Sequence, residues 1–138
     1  MGRTTDKVTI KNYVDVFSAA SGALDPSRVR TADVLGVVDT GAAYLCLPPS
    51  VIQQLGLLFS HSAHVTTANG DVIRRIFKGG DITIRDRNIE MAVMENDEKT
   101  PPLIGYLVLE ALDYVVEPKS QQLIGNPEHG GEWIADLY

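Results

Sequence analysis

The stretch VVDTGAA at residues 37–43 places one carboxylate directly after an apolar run and directly before small residues. An ionised side chain is costly in the apolar interior of a strand, because it gives up its hydration there. An aspartate beside a glycine is most often a turn residue, so D-T-G alone carries little information. Its significance depends on the rest of the chain.

A second short motif, Leu103-Ile104-Gly105, precedes Tyr106–Leu112, whose apolar spacing predicts a short helix. Between the two motifs lies Asn69-Gly70, flanked by apolar residues. Asn-Gly strongly favours a hairpin, because a type I′ turn needs positive φ at both central residues. The chain therefore presents an aspartate-bearing strand, a hairpin, an apolar-apolar-glycine strand and a helix, in that order.

The remaining pattern predicts a mainly β chain. Alternation of apolar and polar residues predicts strands over Val8–Phe17 and Val29–Val38, which pair as a hairpin with a long loop. Gly79-Gly80 predicts a break between strands. Further hairpins are predicted from Ala63–Ala68 with Val72–Phe77, Asp81–Arg85 with Ile89–Met94, and Tyr114–Glu117 with Gln121–Ile124.

Residues 49–57 predict a two-turn helix, with Pro49 in its first turn and Gly56 as a left-handed stop. About eight short strands and two short helices result. A chain of 138 residues is long enough for one modest core. We expect one domain over residues 1–138, with its core at about 8–125 and a C-terminal tail at 126–138.

The motifs and their order resemble the retropepsin-like (retroviral-type) aspartic proteases, including their bacterial single-domain relatives. The resemblance covers about residues 8–125 and rests on VVDTGA, TANGDV and PLIGYLVLEAL. It implies a closed retropepsin-like barrel with one or two short helices and a single lobe per subunit.

The resemblance also implies roles for particular residues. Asp39 would be the catalytic aspartate, Thr40 would bond across a two-fold axis, and Gly41 would let the backbone approach the carboxylates. Ala42 would lie at the rim of the cleft. The remaining assignments are a flap at Ala68, Asn69, Gly70 and Asp71, and a ψ-shaped loop at Leu103, Ile104 and Gly105.

Peptide hydrolysis without a metal, a cofactor or a nucleophilic side chain needs one carboxylate to take a proton from water and a second acid to protonate the substrate. The chain has one D-T-G and no D-S-G. The hypothesis is therefore an aspartic endopeptidase that acts as a homodimer on extended peptides, with Asp39 from each subunit meeting at a two-fold axis.

One feature departs from the family. Retroviral enzymes follow the ψ-loop glycine with Arg-Asn, and that arginine braces the dimer through an acidic residue near the catalytic motif. Here Tyr106-Leu107 follows Gly105, so this ionic brace is absent. The tail residues Glu132–Tyr138 are open to three interpretations: an interface strand, a cover for the cleft, or a packed terminus.

Composition narrows the other possibilities. A net charge of −6 argues against a nucleic-acid partner, and no apolar run approaches membrane-spanning length. One cysteine, Cys46, and the lack of a secretory signal favour a cytoplasmic location. His61 and His64 are weak metal-ligand candidates because no third ligand is evident, so we expect no metal site. Cys46 is expected to be a small core residue.

Two alternatives to the protease remain open. The first is a catalytically silent, dimeric peptide-binding or scaffolding module of the same fold, which the intact D-T-G-A disfavours. The second is an unrelated β-barrel binding protein, which would require the two motifs to co-occur by accident.

Overall fold

The computed structural model describes residues 3–134, which form nine strands and three α-helices. In chain order they are β1 (Thr5–Asn12), α1 (Tyr13–Ala20), β2 (Thr31–Val38), β3 (Leu45–Leu47), α2 (Pro49–Leu55), β4 (Leu58–Thr67), β5 (Gly70–Ile84), β6 (Arg87–Glu95), β7 (Leu103–Ile104), α3 (Tyr106–Leu112), β8 (Tyr114–Glu117) and β9 (Gln122–Gly125).

Six of the strands close into a ring. The hydrogen-bonded order is β1-β2-β7-β3-β6-β5-β4, and β1 also pairs with β5. The ring therefore runs β1, β2, β7, β3, β6, β5 and back to β1, while β4 extends outward from β5. The β2–β7 and β3–β6 pairs are parallel and the others are antiparallel. The predicted mainly β, closed-barrel architecture is confirmed, and β8 and β9 form a separate hairpin.

Aliphatic side chains fill the interior of the ring. Ile10 on β1 and Ile82 on β5 are opposite each other in register, and both are 0% exposed. Burial of a side chain of this size contributes roughly 1.5–3 kcal/mol. A Cβ on Gly36 would lie 2.7 Å from Cγ1 of Ile104, so this glycine makes room for the β7 isoleucine over β2. Other fully buried members are Val8, Leu45, Leu47, Ile84, Val93 and Leu112.

The predicted strand over Val8–Phe17 is wrong in its second half. The strand ends at Asn12, whose side chain accepts a hydrogen bond from the Asp15 amide and so starts α1. Asp15 is buried against Arg30, which donates to it from Nε at 2.8 Å and from Nη2 at 3.1 Å. The structure thus has three short helices rather than two, and within residues 3–134 none of them has the length and apolar character needed to cross a membrane.

The predicted break at Gly79-Gly80 is also wrong. β5 continues through both glycines to Ile84, and the register with β6 shifts between Phe77 and Gly80. Gly79 has a φ of +90°, and a Cβ on Gly80 would lie 2.7 Å from Val93. The two glycines therefore accommodate a β-bulge within one long strand. The predicted helix at residues 49–57 is confirmed, with Gly56 at a φ of +62°.

The described part of the C-terminal tail, residues 126–134, contains a short 3₁₀ turn at Pro127–His129 and folds back on α3. Asp113 binds the His129 ring through Oδ2 at 2.6 Å and accepts from the Asn126 amide through Oδ1 at 3.1 Å. Arg87 donates to the Gly131 carbonyl at 2.7 Å. The predicted interface role of Glu132–Tyr138 falls partly on 135–138, which lie outside the described residues.

We predict that Asp113 makes folding sensitive to acid. The hydrogen bond from His129, followed by that from Asn126, lowers the pKa of Asp113. A carboxyl whose pKa is lower in the folded state stabilises the fold above its unfolded value of about 3.9, and this stabilisation is lost as pH falls through the folded value. Asp113→Asn should therefore lower the thermal midpoint at pH 7 and reduce its change between pH 5 and pH 2.

The matched control is Glu128→Gln, which removes a carboxylate from the turn that Asp113 contacts. Within residues 3–134 the Glu128 side chain accepts no hydrogen bond. Thermal unfolding followed by circular dichroism measures both variants. A pH dependence of Asp113→Asn equal to that of the unmodified protein would contradict the prediction.

Candidate functional site

The two motifs that frame the sequence lie side by side in the barrel. β2 and β7 run parallel, with Val37 opposite Leu103 and Val38 opposite Ile104. The Asp39 amide continues this ladder by donating to the Ile104 carbonyl at 3.0 Å. The aspartate that ends β2 is therefore fixed at the carboxyl end of a buried parallel strand pair.

A tight turn then orients the Asp39 carboxylate. Its Oδ1 accepts a hydrogen bond from the Gly41 amide at 2.9 Å, and its carbonyl accepts from the Ala42 amide at 3.0 Å. A Cβ on Gly41 would lie 3.2 Å from Oδ1, so a larger residue would crowd the carboxylate. Oδ2 has no hydrogen-bond partner within residues 3–134, and the side chain is half-buried. One oxygen is thus held and the other is left available.

The chain leaves β7 by passing directly beneath this loop. A Cβ on Gly105 would lie 2.5 Å from the carbonyl carbon and oxygen of Ala43 and closer still to the Tyr44 carbonyl oxygen. The amide of Tyr106, at the start of α3, donates to the Ala42 carbonyl at 2.8 Å, and the next amide donates to Ala43. The predicted ψ-loop residues Leu103, Ile104 and Gly105 and the predicted loop residues 39–42 therefore form one hydrogen-bonded unit.

The predicted flap is the hairpin of β4 and β5. Its turn consists of Ala68 and Asn69, one residue earlier than predicted, because Thr67 pairs with Gly70. Only Gly70 has positive φ, at +107°, so the type I′ expectation is wrong. Thr67 Oγ1 stabilises the turn by donating to the Gly70 carbonyl at 2.6 Å and accepting from the Asn69 amide at 3.2 Å. Asp71 is exposed beside this turn.

One apolar cluster connects the β4–β5 hairpin, the predicted flap, to the Asp39 loop, and we call it the cleft cluster. Its buried members are Cys46, Ile76 and Met94, and partly buried Ala42, Tyr44, Ala63, Val65, Ala92 and Leu103 pack against them. Burial and, secondarily, the charge of Asp39 raise the pKa of the Cys46 thiol to about 11. Cys46 is therefore a protonated, buried residue at neutral pH, and its thiol lies within range of the Asp39 charge.

The two histidines do not converge on a metal position. His61 and His64 are three residues apart on β4, so they lie on opposite faces of the strand. Within residues 3–134 no three His, Cys, Asp or Glu side chains are placed to hold a metal ion.

Sequence reasoning missed an arginine on the inner face of the flap. Arg74 is half-buried whereas the adjacent Ile73 is 61% exposed. Apolar residues occupy both faces of the run Val72–Ile76, so local alternation alone does not decide which face turns inward. Arg74 lies two residues before Ile76, so the two side chains share one face of β5. Ile76 is 1% exposed, and this face is therefore the inner one.

Comparison with known proteins agrees with this geometry. Residues 17–108, about two-thirds of the chain, match the model of a family described as aspartyl protease. Among solved structures, the EIAV protease complexed with the inhibitor HBY-793 superposes with a TM-score of 0.54 at 16% sequence identity, covering 79% of this chain and 86% of that one. At this identity the match shows a shared fold, which confirms the retropepsin-like architecture. No curated protein sequence matches the chain.

We predict that Gly105→Ala destabilises the fold. Backbone atoms of Ala43 and Tyr44 occupy the space that the new methyl group needs, and the backbone has little freedom to move there. Overpacking of this kind costs about 1–3 kcal/mol or more. Urea unfolding measures the free energy of unfolding. Gly41→Ala is the matched control, because its methyl group meets only the Asp39 side chain and should cost much less. An equal loss of unfolding free energy in the two variants would contradict the interpretation that the backbone at Gly105 passes too close to Ala43 and Tyr44 to admit a side chain.

Proposed function

The chain belongs to the aspartyl protease family, and from this premise we propose that it is an aspartic endopeptidase that acts as a homodimer. The observation that carries the proposal is the position of the Asp39 carboxylate at the carboxyl end of the parallel β2–β7 pair. Gly41 and Ile104 fix its position, while Oδ2 is left without a partner within residues 3–134. Each chain contributes one such carboxylate.

The chemistry requires two of these carboxylates. The ionised carboxylate takes a proton from the attacking water, and the protonated carboxyl group donates its proton to the substrate. The two groups then exchange roles. Two like charges about 3 Å apart, at an effective dielectric of about 20, repel by roughly 5 kcal/mol. The pair therefore shares one proton near neutral pH and titrates as a coupled unit. The two Asp39 residues of a dimer would supply this arrangement.

The surroundings of Asp39 support an interface between two copies. The Thr40 side chain is exposed and its hydroxyl has no hydrogen-bond partner in the described part of the chain, so it is available to bond across a two-fold axis. Tyr106, which takes the place of the family's bracing arginine, is 40% exposed. The dimer would therefore be held by hydroxyl and aromatic contacts rather than by that ion pair.

The flap supports an extended peptide as the substrate. β4 lies at the edge of the sheet, and the inner face of the hairpin shares the cleft cluster with the Asp39 loop. A peptide that lies between flap and loop in extended form would gain main-chain hydrogen bonds as well as side-chain contacts. Closure of the hairpin would shield the cleft from bulk solvent while the attacking water stays between the two carboxylates.

We predict that Asp39→Asn lowers kcat/KM on a cleavable peptide by about 10³-fold or more. The substitution removes both carboxyl groups of the dimer, and with them the general base and the general acid. The matched control is Asp33→Asn, which makes the same change on the same strand at an exposed position. A varied peptide library, with products identified by mass spectrometry, provides the assay. Equal cleavage by the unmodified protein and Asp39→Asn, or no cleavage at any pH, would favour the silent peptide-binding module.

The dimer is tested separately by sedimentation equilibrium at increasing protein concentration. The proposal requires a species of twice the chain mass of 15.0 kDa. A strict monomer at high concentration, also in the presence of a bound peptide, would remove the second aspartate and with it the mechanism.

We also predict a bell-shaped pH profile with its maximum at mildly acid to neutral pH. Activity should fall at low pH when both carboxyls are protonated and at high pH when the shared proton is lost. The measurement is kcat/KM for one peptide without titratable side chains. Equal activity from pH 4 to pH 10 would contradict a shared-proton pair.

A further inference from the structure

Arg74 occupies a position in the flap where the neighbouring side chains are apolar. It pairs across the hairpin with Ala63. The next pair on the same face, toward the tip of the hairpin, is Val65 with Val72. Ala63 and Val65 pack against the cleft cluster, which contains Ile76 two residues after Arg74. Since alternate residues of a strand share one face, Arg74 faces the space between the flap and the Asp39 loop.

Among the described residues, the guanidinium at this position has no anionic hydrogen-bond or ion-pair partner. Its one hydrogen bond goes to the carbonyl of Ile73 at 3.4 Å, which is beyond the usual 2.7–3.2 Å range. Within residues 3–134 Arg74 forms no ion pair, whereas the adjacent Arg75, on the outer face, binds Glu95 through two hydrogen bonds of 2.8 Å. A half-buried cation without a partner is costly, and a carboxylate ligand would relieve that cost.

Arg74 and Asp39 both act electrostatically on the Cys46 thiol of the cleft cluster. Burial is the main reason why the pKa of the Cys46 thiol is raised, but Asp39 raises it further and Arg74 lowers it. The two charges therefore act on one side chain of the cleft cluster. Arg74 also contributes to the lowered pKa of Asp97, after hydrogen bonds from Thr100 and Lys99. Oδ1 of Asp97 accepts three hydrogen bonds within its own loop, and Asp97 forms no ion pair with Arg74.

We propose, resting on the proposed endopeptidase function, that Arg74 is a specificity-determining residue that binds an acidic side chain of the extended peptide. The guanidinium fork fits a carboxylate through two parallel hydrogen bonds. The whole chain carries a net charge of −6, which repels acidic peptides in general. Selection of an acidic residue would therefore be local to Arg74.

Dimer symmetry gives the proposal a distinctive signature. A two-fold axis through the pair of Asp39 residues places one Arg74 on each side of the scissile bond. The preference for an acidic residue should therefore appear at two positions, at similar distances before and after the bond. A peptide with glutamate at both positions should be the better substrate.

The test compares matched peptides in which one position at a time carries glutamate or glutamine. Anisotropy of labelled peptides gives Kd for Asp39→Asn, and kcat/KM is measured for the active enzyme. We expect glutamate to be preferred about tenfold or more at the matching position, as a hydrogen-bonded charge pair provides. Arg74→Gln should bring the glutamate-to-glutamine ratio to about one, and Arg74→Lys should retain part of the preference for glutamate. Arg74→Glu should prefer a peptide with lysine at this position over the peptide with glutamate.

Lys78→Gln is the matched control, because it removes one positive charge from an exposed position on the same strand. It should leave the glutamate-to-glutamine ratio unchanged, and thermal unfolding verifies that each variant is folded. Cleavage with no preference, or a preference that persists in Arg74→Gln, overturns the role of Arg74 and leaves the endopeptidase proposal intact. Glutamate-dependent binding without any cleavage overturns the endopeptidase proposal and keeps Arg74 as the recognition residue.

Discussion

The hydrogen bond from the Asp39 amide to the Ile104 carbonyl is the interaction on which the rest of the structure depends. β7 has only two residues, yet it joins β2 on one side and β3 on the other and so completes the ring. The side chain of Ile104 is fully buried over Gly36, and its carbonyl positions the aspartate. A change in this short strand would disturb the core and the candidate active site together.

β5 has two roles along its length, and a β-bulge separates them. Its first part is a strand of the flap, and its second part, after Gly80, pairs with β1 to close the ring. A second bulge lies in β4 between Phe59 and His61. Because bulges interrupt the regular ladder, both strands of the hairpin have their irregular points near its base. The hairpin therefore joins the ring through two interrupted stretches of ladder rather than through a continuous one.

The sequence was sufficient for the features that depend on local chemistry. The family resemblance carried by the apolar-apolar-glycine motif and D-T-G-A predicted the closed-barrel fold, and Gly56 predicted the end of α2 correctly. The first helix was missed because Val14 and Val16 alternate with polar residues, while the Asn12 cap and the Asp15–Arg30 pair depend on contacts that a local pattern does not contain.

The inward orientation of Arg74 was missed for a related reason. In the run from Val72 to Ile76, the apolar residues fit either face of a strand, so local alternation does not decide between them. Packing of Ile76 against Cys46 and Met94 decides it, and this places Arg74 inside and Ile73 outside. Tertiary burial overrode the residue-by-residue preference.

β4 is the last strand of the seven-stranded sheet, and within the described residues it pairs only with β5. Unpaired edges are the sites where proteins add foreign strands and aggregate, and β4 begins with Leu58 and Phe59, which are 71% and 50% exposed. The hairpin strand at the end of the sheet is thus the strand most open to unwanted association. A strand that paired with β4 would cover this edge, and the site of association would then be removed.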